Sequence, residues 1–320
     1  MKLLVTGGAG FLGSRLIESL LQPDARDLLP PGARLLSLDL SPCPLRDPRL
    51  ASVVGDIADR DLLSRLVGPD TALVFHLAAV VSAQAEQDFD LGMAVNLDAT
   101  RALLEVCRHQ ARAPRLVFAS SLAVFGGELP RQVPEELAPL PQSSYGTQKA
   151  MAELLVADYS RRGFVDGRVC RLPTIAVRQG RPNAAASSFA SGIIREPLAG
   201  LPSNCPVPLD TRLWLSSPGK VIDNLLLAAR LDGVRLGPRR ALNLPGISVS
   251  VGQMLDSLER LGGPGTRGLV GEEPDARVAA IVCGWPGDFE VERAMRLGFV
   301  RDSDFDAIVR AYQNEASARA

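Results

Sequence analysis

Tyr145 and Lys149 stand four residues apart in the run Tyr145-Gly146-Thr147-Gln148-Lys149. On a helix that spacing is about one turn, so both side chains project from one face. A free phenol titrates near ~10 and is a poor base at neutral pH. A neighbouring ammonium favours the phenolate and lowers that value. Tyr145 could then take a proton from a substrate alcohol as a general base. Upstream, Ser120 and Ser121 close an apolar run, at the strand edge where ligands sit in open α/β sheets. Composition makes the pair conspicuous. Among 35 basic residues lysine occurs only at Lys2, Lys149 and Lys220, and the only tyrosines are Tyr145, Tyr159 and Tyr312.

A second group of residues suits phosphate. The apolar run at residues 2–6 passes directly into Thr6-Gly7-Gly8-Ala9-Gly10-Phe11-Leu12-Gly13. Gly8, Gly10 and Gly13 fit G-x-G-x-x-G, while Gly7, Gly10 and Gly13 fit G-x-x-G-x-x-G. Small residues allow a tight turn, a close backbone approach to a pyrophosphate and close packing of helix on strand. The helix N-terminus that follows offers free N–H groups and the positive end of its dipole. A strand before the turn and a helix after it are the context this motif requires. Asp39 ends the next strand, where a carboxylate accepts from ribose hydroxyls and repels a 2′-phosphate. The cofactor these residues suit is NAD.

The elements that must position these residues follow from periodicity. Strands are expected at residues 2–6, 34–40, 51–56, 72–77, 115–120 and 168–172, with helices at 13–21, 61–67, 91–108 and 144–162 between them. Such alternation predicts βαβ units on a parallel sheet. The fold class is therefore α/β, a doubly wound Rossmann parallel sheet with a smaller C-terminal α/β lobe. Residues 1–172 are expected to form the nucleotide domain, with 212–245 returning to it. Residues 173–211 and 246–320 are expected to form the substrate lobe. Within these, helices are expected at 221–230, 250–261 (capped by Ser248 or Ser250) and 304–312, and a strand at 241–244. Residues 181–205 resist assignment.

Composition excludes several classes. Thirty-six acidic residues against 35 basic ones leave a net charge of −1, without the basic excess of a nucleic-acid binder. Five scattered cysteines and two histidines, His76 and His109, suggest neither a disulfide framework nor a metal site. His76 and His109 are read as structural. The opening apolar run is too short for a signal peptide, and no run approaches the ~18 apolar residues of a membrane span. A cytoplasmic protein with reduced thiols is expected.

Taken together, TGGAGFLG, Asp39, Gly55-Asp56-Ile57, His76-Leu77-Ala78-Ala79, Asn96, the serines before Ala123-Val124-Phe125-Gly126 and YGTQK resemble the extended short-chain dehydrogenase/reductase family of NAD-dependent epimerases and dehydratases. The resemblance implies that Gly7, Gly10, Phe11, Leu12 and Gly13 line the pyrophosphate and that Asp56 and Ile57 flank the adenine. It runs Leu77, Ala78 and Ala79 under the cofactor, with Asn96 nearby and Pro173 at the nicotinamide end. Aligned on Val124-Phe125-Gly126, Ser121 is the catalytic serine. Tyr145 is then the acid/base, and Lys149 binds the nicotinamide ribose and tunes Tyr145. The resemblance also implies a homodimer or higher homo-oligomer.

Departures fall on the substrate side. Phe125 and Thr174 stand where many relatives carry tyrosine and asparagine, and the aspartate expected after Arg212 is missing. Segments such as residues 89–105, 141–149, 159–168, 181–200 and 274–282 resemble a subgroup that oxidises C2 of a four-carbon sugar acid. Such a substrate needs a cation for its carboxylate, and a bidentate arginine is the natural clamp. Arg178, Arg181, Arg195 and Arg212 are candidates, with Arg212 favoured. Ser82, Thr174, Asn183 and Ser187–Ser188 are expected to meet substrate, beside Ser121 and Tyr145. The rival functions are a sugar-nucleotide epimerase or dehydratase, and a dinucleotide sensor without catalysis.

Overall fold

The computed structural model describes residues 1–180 and 185–318. Arg181 and Asn183 lie outside the described residues. The first half alternates as the periodicity predicts: β1 Lys2–Thr6, α1 Phe11–Leu20, β2 Arg34–Asp39, β3 Leu50–Val54, α2 Arg60–Leu66, β4 Thr71–His76, α3 Ser82–Gln87, α4 Phe89–Gly92, α5 Ala99–Arg108, β5 Arg115–Ser121, α6 Ser144–Arg161 and β6 Asp166–Leu172. The second half holds β7 Thr174–Ile175, α7 Phe189–Leu198, β8 Ser203–Asn204, β9 Arg212–Ser216, α8 Pro218–Arg230, β10 Ala241–Asn243, β11 Ile247–Ser250, α9 Val251–Gly262, β12 Val270–Gly271, α10 Ala276–Val282, α11 Glu292–Arg296 and α12 Phe305–Ser317.

Seven strands form one sheet in the order β10-β6-β5-β4-β1-β2-β3, and every pairing in it is parallel. Helices cover both faces, which explains why β1 and β4 are buried at all but one position each. On one face α1 and α8 bury Leu16, Ile17, Leu20, Val221 and Leu225 against Leu3, Val5 and Phe75. On the other, α5 and α6 bury Leu103, Leu104, Ala152 and Val156 against Leu4, Val74 and Phe118. Chain order reverses between β1 and β4, and open α/β sheets bind ligands at that switch point, beyond the carboxyl ends of the strands.

A separate sheet, β11-β9-β7, anchors the smaller lobe. Its core joins α7, α9 and α12 through Ile193, Ile194, Met254, Leu258, Phe305 and Ile308. Within residues 212–245, β9 belongs to this small sheet, whereas α8 and β10 join the large one. Ala294 and Phe299, far along the chain, pack into the large core.

Three expectations change in detail. The helix expected at 91–108 contains a π-helical stretch, Met93–Asp98, between α4 and α5. Ser250, not Ser248, caps α9, in a reciprocal box with Gln253. The unassigned stretch resolves in part into α7, whose Pro197 sits in the last turn and blurs the helical pattern. Strands β9 and β11 are additions to the expected set. Each is only four or five residues long, too short for alternation to stand out.

Candidate active site

The glycine turn sits at the carboxyl end of β1, with Gly10 as the N-cap of α1. A Cβ on Gly13 would fall 2.0 Å from the Gly7 carbonyl oxygen. Only glycine lets α1 approach the turn this closely. Beside it opens a cleft of about 340 Å³. Gly7, Gly10, Phe11, Leu12 and Gly13 line one end, and Leu77 and Ala79 line the floor. Ser82, Ser121, Tyr145, Lys149, Pro173 and Thr174 line the rest, together with Arg178, Ser187 and Trp285.

Tyr145 and Lys149 share the cleft face of α6. Gly146 between them is required by packing, because a Cβ there would meet the Ala123 carbonyl oxygen at 2.1 Å. Lys149 is 2 % exposed. Its Nζ donates to the Ala119 carbonyl at 3.0 Å and lies 5.8 Å from the Tyr145 ring centre. Burial pushes the Lys149 ammonium down to about 8, against the pull of the Glu153 carboxylate. Burial pushes the Tyr145 phenol up to about 12, against a hydrogen bond with Ser121. The expected net lowering of Tyr145 by Lys149 is therefore corrected. Desolvation outweighs the opposing Ser121 contribution, and the phenol stays neutral at pH 7. Ser121, not Ser120, is the serine that favours the ionised Tyr145 phenol. Ser121 also accepts from Ala123 N–H at 3.1 Å, which fixes its rotamer. Ser120 turns inward to Glu153.

Several expected residues support the cleft without lining it. Asp39 accepts from Ala9 N–H at 3.0 Å and Ser41 N–H at 3.3 Å, so it braces the glycine turn. A carboxylate has about four lone-pair sites, and two remain. Ala78 N–H bonds to Thr6 Oγ1. Asn96, 1 % exposed on the π-helical stretch, bonds both backbone groups of Val80 and the Gln148 side chain. It ties the cleft floor to α6. Asp56 is exposed and Ile57 is packed in the core beside α2.

Arg212 is a correction. Its guanidinium is exposed and bonds to Ser248 across the β9–β11 pair, and it does not line the cleft. Its position at the start of a lobe strand points it outward. Arg178 lines the cleft instead. Burial and the nearby Arg195 lower its pKa, and among the described residues no carboxylate forms an ion pair with it. Arg195 donates to the Arg178 carbonyl and is itself paired with Glu196. Ser82 accepts from Ala186 N–H at 3.2 Å, fastening the segment that carries Ser187. Trp285 joins the cleft beyond the expected set. One of only two tryptophans, set in a Gly/Pro-rich run, it carried the available signal in its rarity.

The geometry fits a dinucleotide. A glycine turn at the switch point and an open helix N-terminus face the same cleft as Ser121, Tyr145 and Lys149. That combination defines a dinucleotide-dependent oxidoreductase. The model of the NAD dependent epimerase/dehydratase family matches residues 3–212. The chain is 55% identical to D-erythronate dehydrogenase of Cupriavidus necator, covering 99% of each. It is 45% identical to D-erythronate dehydrogenase of Haemophilus influenzae, covering 98% of each. A solved nucleoside-diphosphate-sugar epimerase from Agrobacterium tumefaciens superimposes with a TM-score of 0.91 at 38% identity, covering 100% of this chain and 95% of that one. The chain belongs to the NAD dependent epimerase/dehydratase family. It is an NAD-dependent dehydrogenase.

Proposed function

We propose that the chain oxidises the C2 hydroxyl of a four-carbon sugar acid, D-erythronate, to the 2-oxo acid. The observation that carries this reading is that Ser121, Tyr145 and, one turn on, Lys149 face the same cleft as the glycine turn and Arg178. The names of the two full-length relatives supply the acid.

NAD, when bound, supplies the hydride acceptor. Gly7, Gly10, Phe11, Leu12 and Gly13 would hold its pyrophosphate, Asp39 a ribose, and Lys149 the nicotinamide ribose. Asp56, Ile57, Leu77, Ala78, Ala79 and Pro173 would complete the cofactor side. Ser121 and Tyr145 hold the C2 oxygen between two hydroxyls. Tyr145 would take the proton as the phenolate, the minority form that the Lys149 ammonium favours against the burial that raises its pKa. Arg178, without a carboxylate partner among the described residues, offers a cation for the substrate carboxylate. Ser82, Thr174 and Ser187 stand along the remaining wall as partners for the other hydroxyls. The proposed assembly is a cytoplasmic homodimer joined through α6, where Leu154 is 69% exposed. No helix among the described residues is long and apolar enough to cross a membrane.

The test is NADH formation over a panel of four- and five-carbon sugar acids and of UDP-sugars. Steady NADH with D-erythronate supports the reading. Turnover of a UDP-sugar without net NADH would replace it with the epimerase reading, the activity for which the Agrobacterium protein is named. Tyr145→Phe should abolish turnover, by about 10²-fold or more, while calorimetry still shows NAD binding. A near-normal rate in that variant would overturn the assigned base.

A further inference from the structure

Glu153 lies one helical turn beyond Lys149 on α6, 4 % exposed, and the proposed chemistry makes no use of it. Its carboxylate collects partners from two strands. Ser120 of β5 donates to Oε1. Arg171 of β6 donates from Nε to both oxygens, at 3.0 and 3.1 Å, and from Nη2 to Oε2 at 2.7 Å. Arg171 is 8 % exposed, stacks 4.7 Å from the Phe125 ring centre and reaches Asn243 Oδ1 through Nη1. Desolvating such a pair costs several kcal/mol per ion, and apolar residues of similar volume often stabilise a core as well or better. Stability alone is therefore a poor account of it.

Its position is more informative. Lys149 touches the Ala119 carbonyl and Phe118 ring of β5 and faces Tyr145 of α6; buried Glu153 follows one turn on along α6, and His76 of β4 lies behind Phe118, its ring centre 5.5 Å away. His76 is neutral at pH 7, because burial pushes it down to about 3. Among these, Glu153 supplies the negative charge. Without it, burial would drive Lys149 further below about 8. Arg171 and Ser120 hold that carboxylate fixed. We infer that Glu153 is a positioning residue for the proton chemistry, whose charge keeps Lys149 protonated and so sets the pH range in which the Tyr145–Lys149 pair works. This rests on the Ser–Tyr–Lys reading above.

The chain's three lysines make the inference measurable. In protein labelled with 13C at lysine Cε, without substrate or cofactor, NMR should show one lysine titrating near 8, and Lys149→Arg should remove that signal. Glu153→Gln should lower its midpoint by about one pH unit or more. Glu153→Asp should restore most of the shift. Arg171→Gln, which strips the positive partner from Glu153, should raise the midpoint. The pH profile of NADH formation should move in the same directions, towards acid in Glu153→Gln and towards alkali in Arg171→Gln. A Lys149 midpoint that stays put in Glu153→Gln would reduce Glu153 to packing and overturn the inference, as would shifts of one sign in both variants. If Glu153→Gln does not fold, Arg171→Gln carries the test with its opposite sign. The NMR readout needs no substrate, so a wrong sugar acid or a fully active Tyr145→Phe would be recognised separately.

Discussion

Two hydroxyls enclose the His76 ring, Thr6 Oγ1 at 2.7 Å from Nδ1 and Thr100 Oγ1 at 2.8 Å from Nε2. Thr100 donates to the Asn96 carbonyl, so it must accept from His76 Nε2–H. Thr6 then donates to Nδ1 and accepts from Ala78 N–H. One tautomer satisfies the whole chain, and the ring is a structural tie between β1, β4 and α5. The folded protein keeps His76 neutral down to about 3, whereas an unfolded histidine protonates near 6.5. The unfolded state therefore binds the extra proton in that window. Stability should decline as pH falls through 6.5 and go on declining to about 3. At about 1.4 kcal/mol per unit the loss is on the order of 5 kcal/mol. His76→Gln should unfold at a lower temperature at pH 7 but show a flatter dependence of its midpoint between pH 6.5 and 4. An unchanged slope would assign the acid sensitivity to other groups. Arg178 gives the kinetic counterpart. Losing one partner of a desolvated charge pair costs about 2–5 kcal/mol. Arg178→Gln should then lower kcat/KM for the sugar acid by at least about 30-fold, with NAD affinity in calorimetry unchanged. An equal loss of NAD affinity would move Arg178 to the cofactor.

Among the elements, β1, the glycine turn and α1 are legible in the sequence, because their constraints are local. Apolar runs, glycine spacing and the start of a helical stripe all fall within about twenty residues. The same locality makes the turn sensitive. Gly13→Ala places a methyl against the Gly7 carbonyl, and overpacking of this kind costs about 1–3 kcal/mol. The expected result is NAD affinity weakened by about ten-fold or more, with a lowered thermal midpoint. Calorimetry showing an unchanged Kd would mean that α1 can retreat without consequence. The π-helical stretch is not legible in the same way. Its extra residue per turn turns Asn96 inward to Val80 and Gln148, and neither partner lies in the same helix. Residue spacing within one helix carries no trace of those bonds.

Across the whole molecule, α12 closes the small lobe and also touches the large one. Phe305, Ile308 and Val309 are buried in the small core. Glu315 forms a two-pronged ion pair with Arg15 of α1, whose guanidinium lies 4.9 Å from the Phe11 ring centre. Magnitudes decide which contact holds the helix. Glu315 keeps 35% of its side chain exposed, and such pairs are worth about 0–1 kcal/mol. Truncating a buried phenylalanine costs about 3–5 kcal/mol. Thermal melts should therefore show Phe305→Ala strongly destabilised and Glu315→Ala shifted by a few degrees at most. A reversed order would make the ion pair, not the apolar face, the fastening of α12.

What the sequence by itself determined is what short-range sterics and periodicity encode. The parallel sheet follows from apolar strands spaced by helices, the phosphate turn from glycine spacing, and the shared face of Tyr145 and Lys149 from one turn of helix. Chain closure decided the rest. Candidate arginines are alike in sequence, and only the packing of the small lobe turns Arg178 into the cleft and leaves Arg212 on Ser248. Trp285 reaches the cleft from more than a hundred residues beyond Lys149, and Glu153 meets Arg171 only because α6 lies against β6. Protonation belongs to this second group as well. The ionisation of Tyr145, Lys149 and His76 depends on how much water packing removes from each, and burial depends on the whole chain rather than on neighbours in sequence.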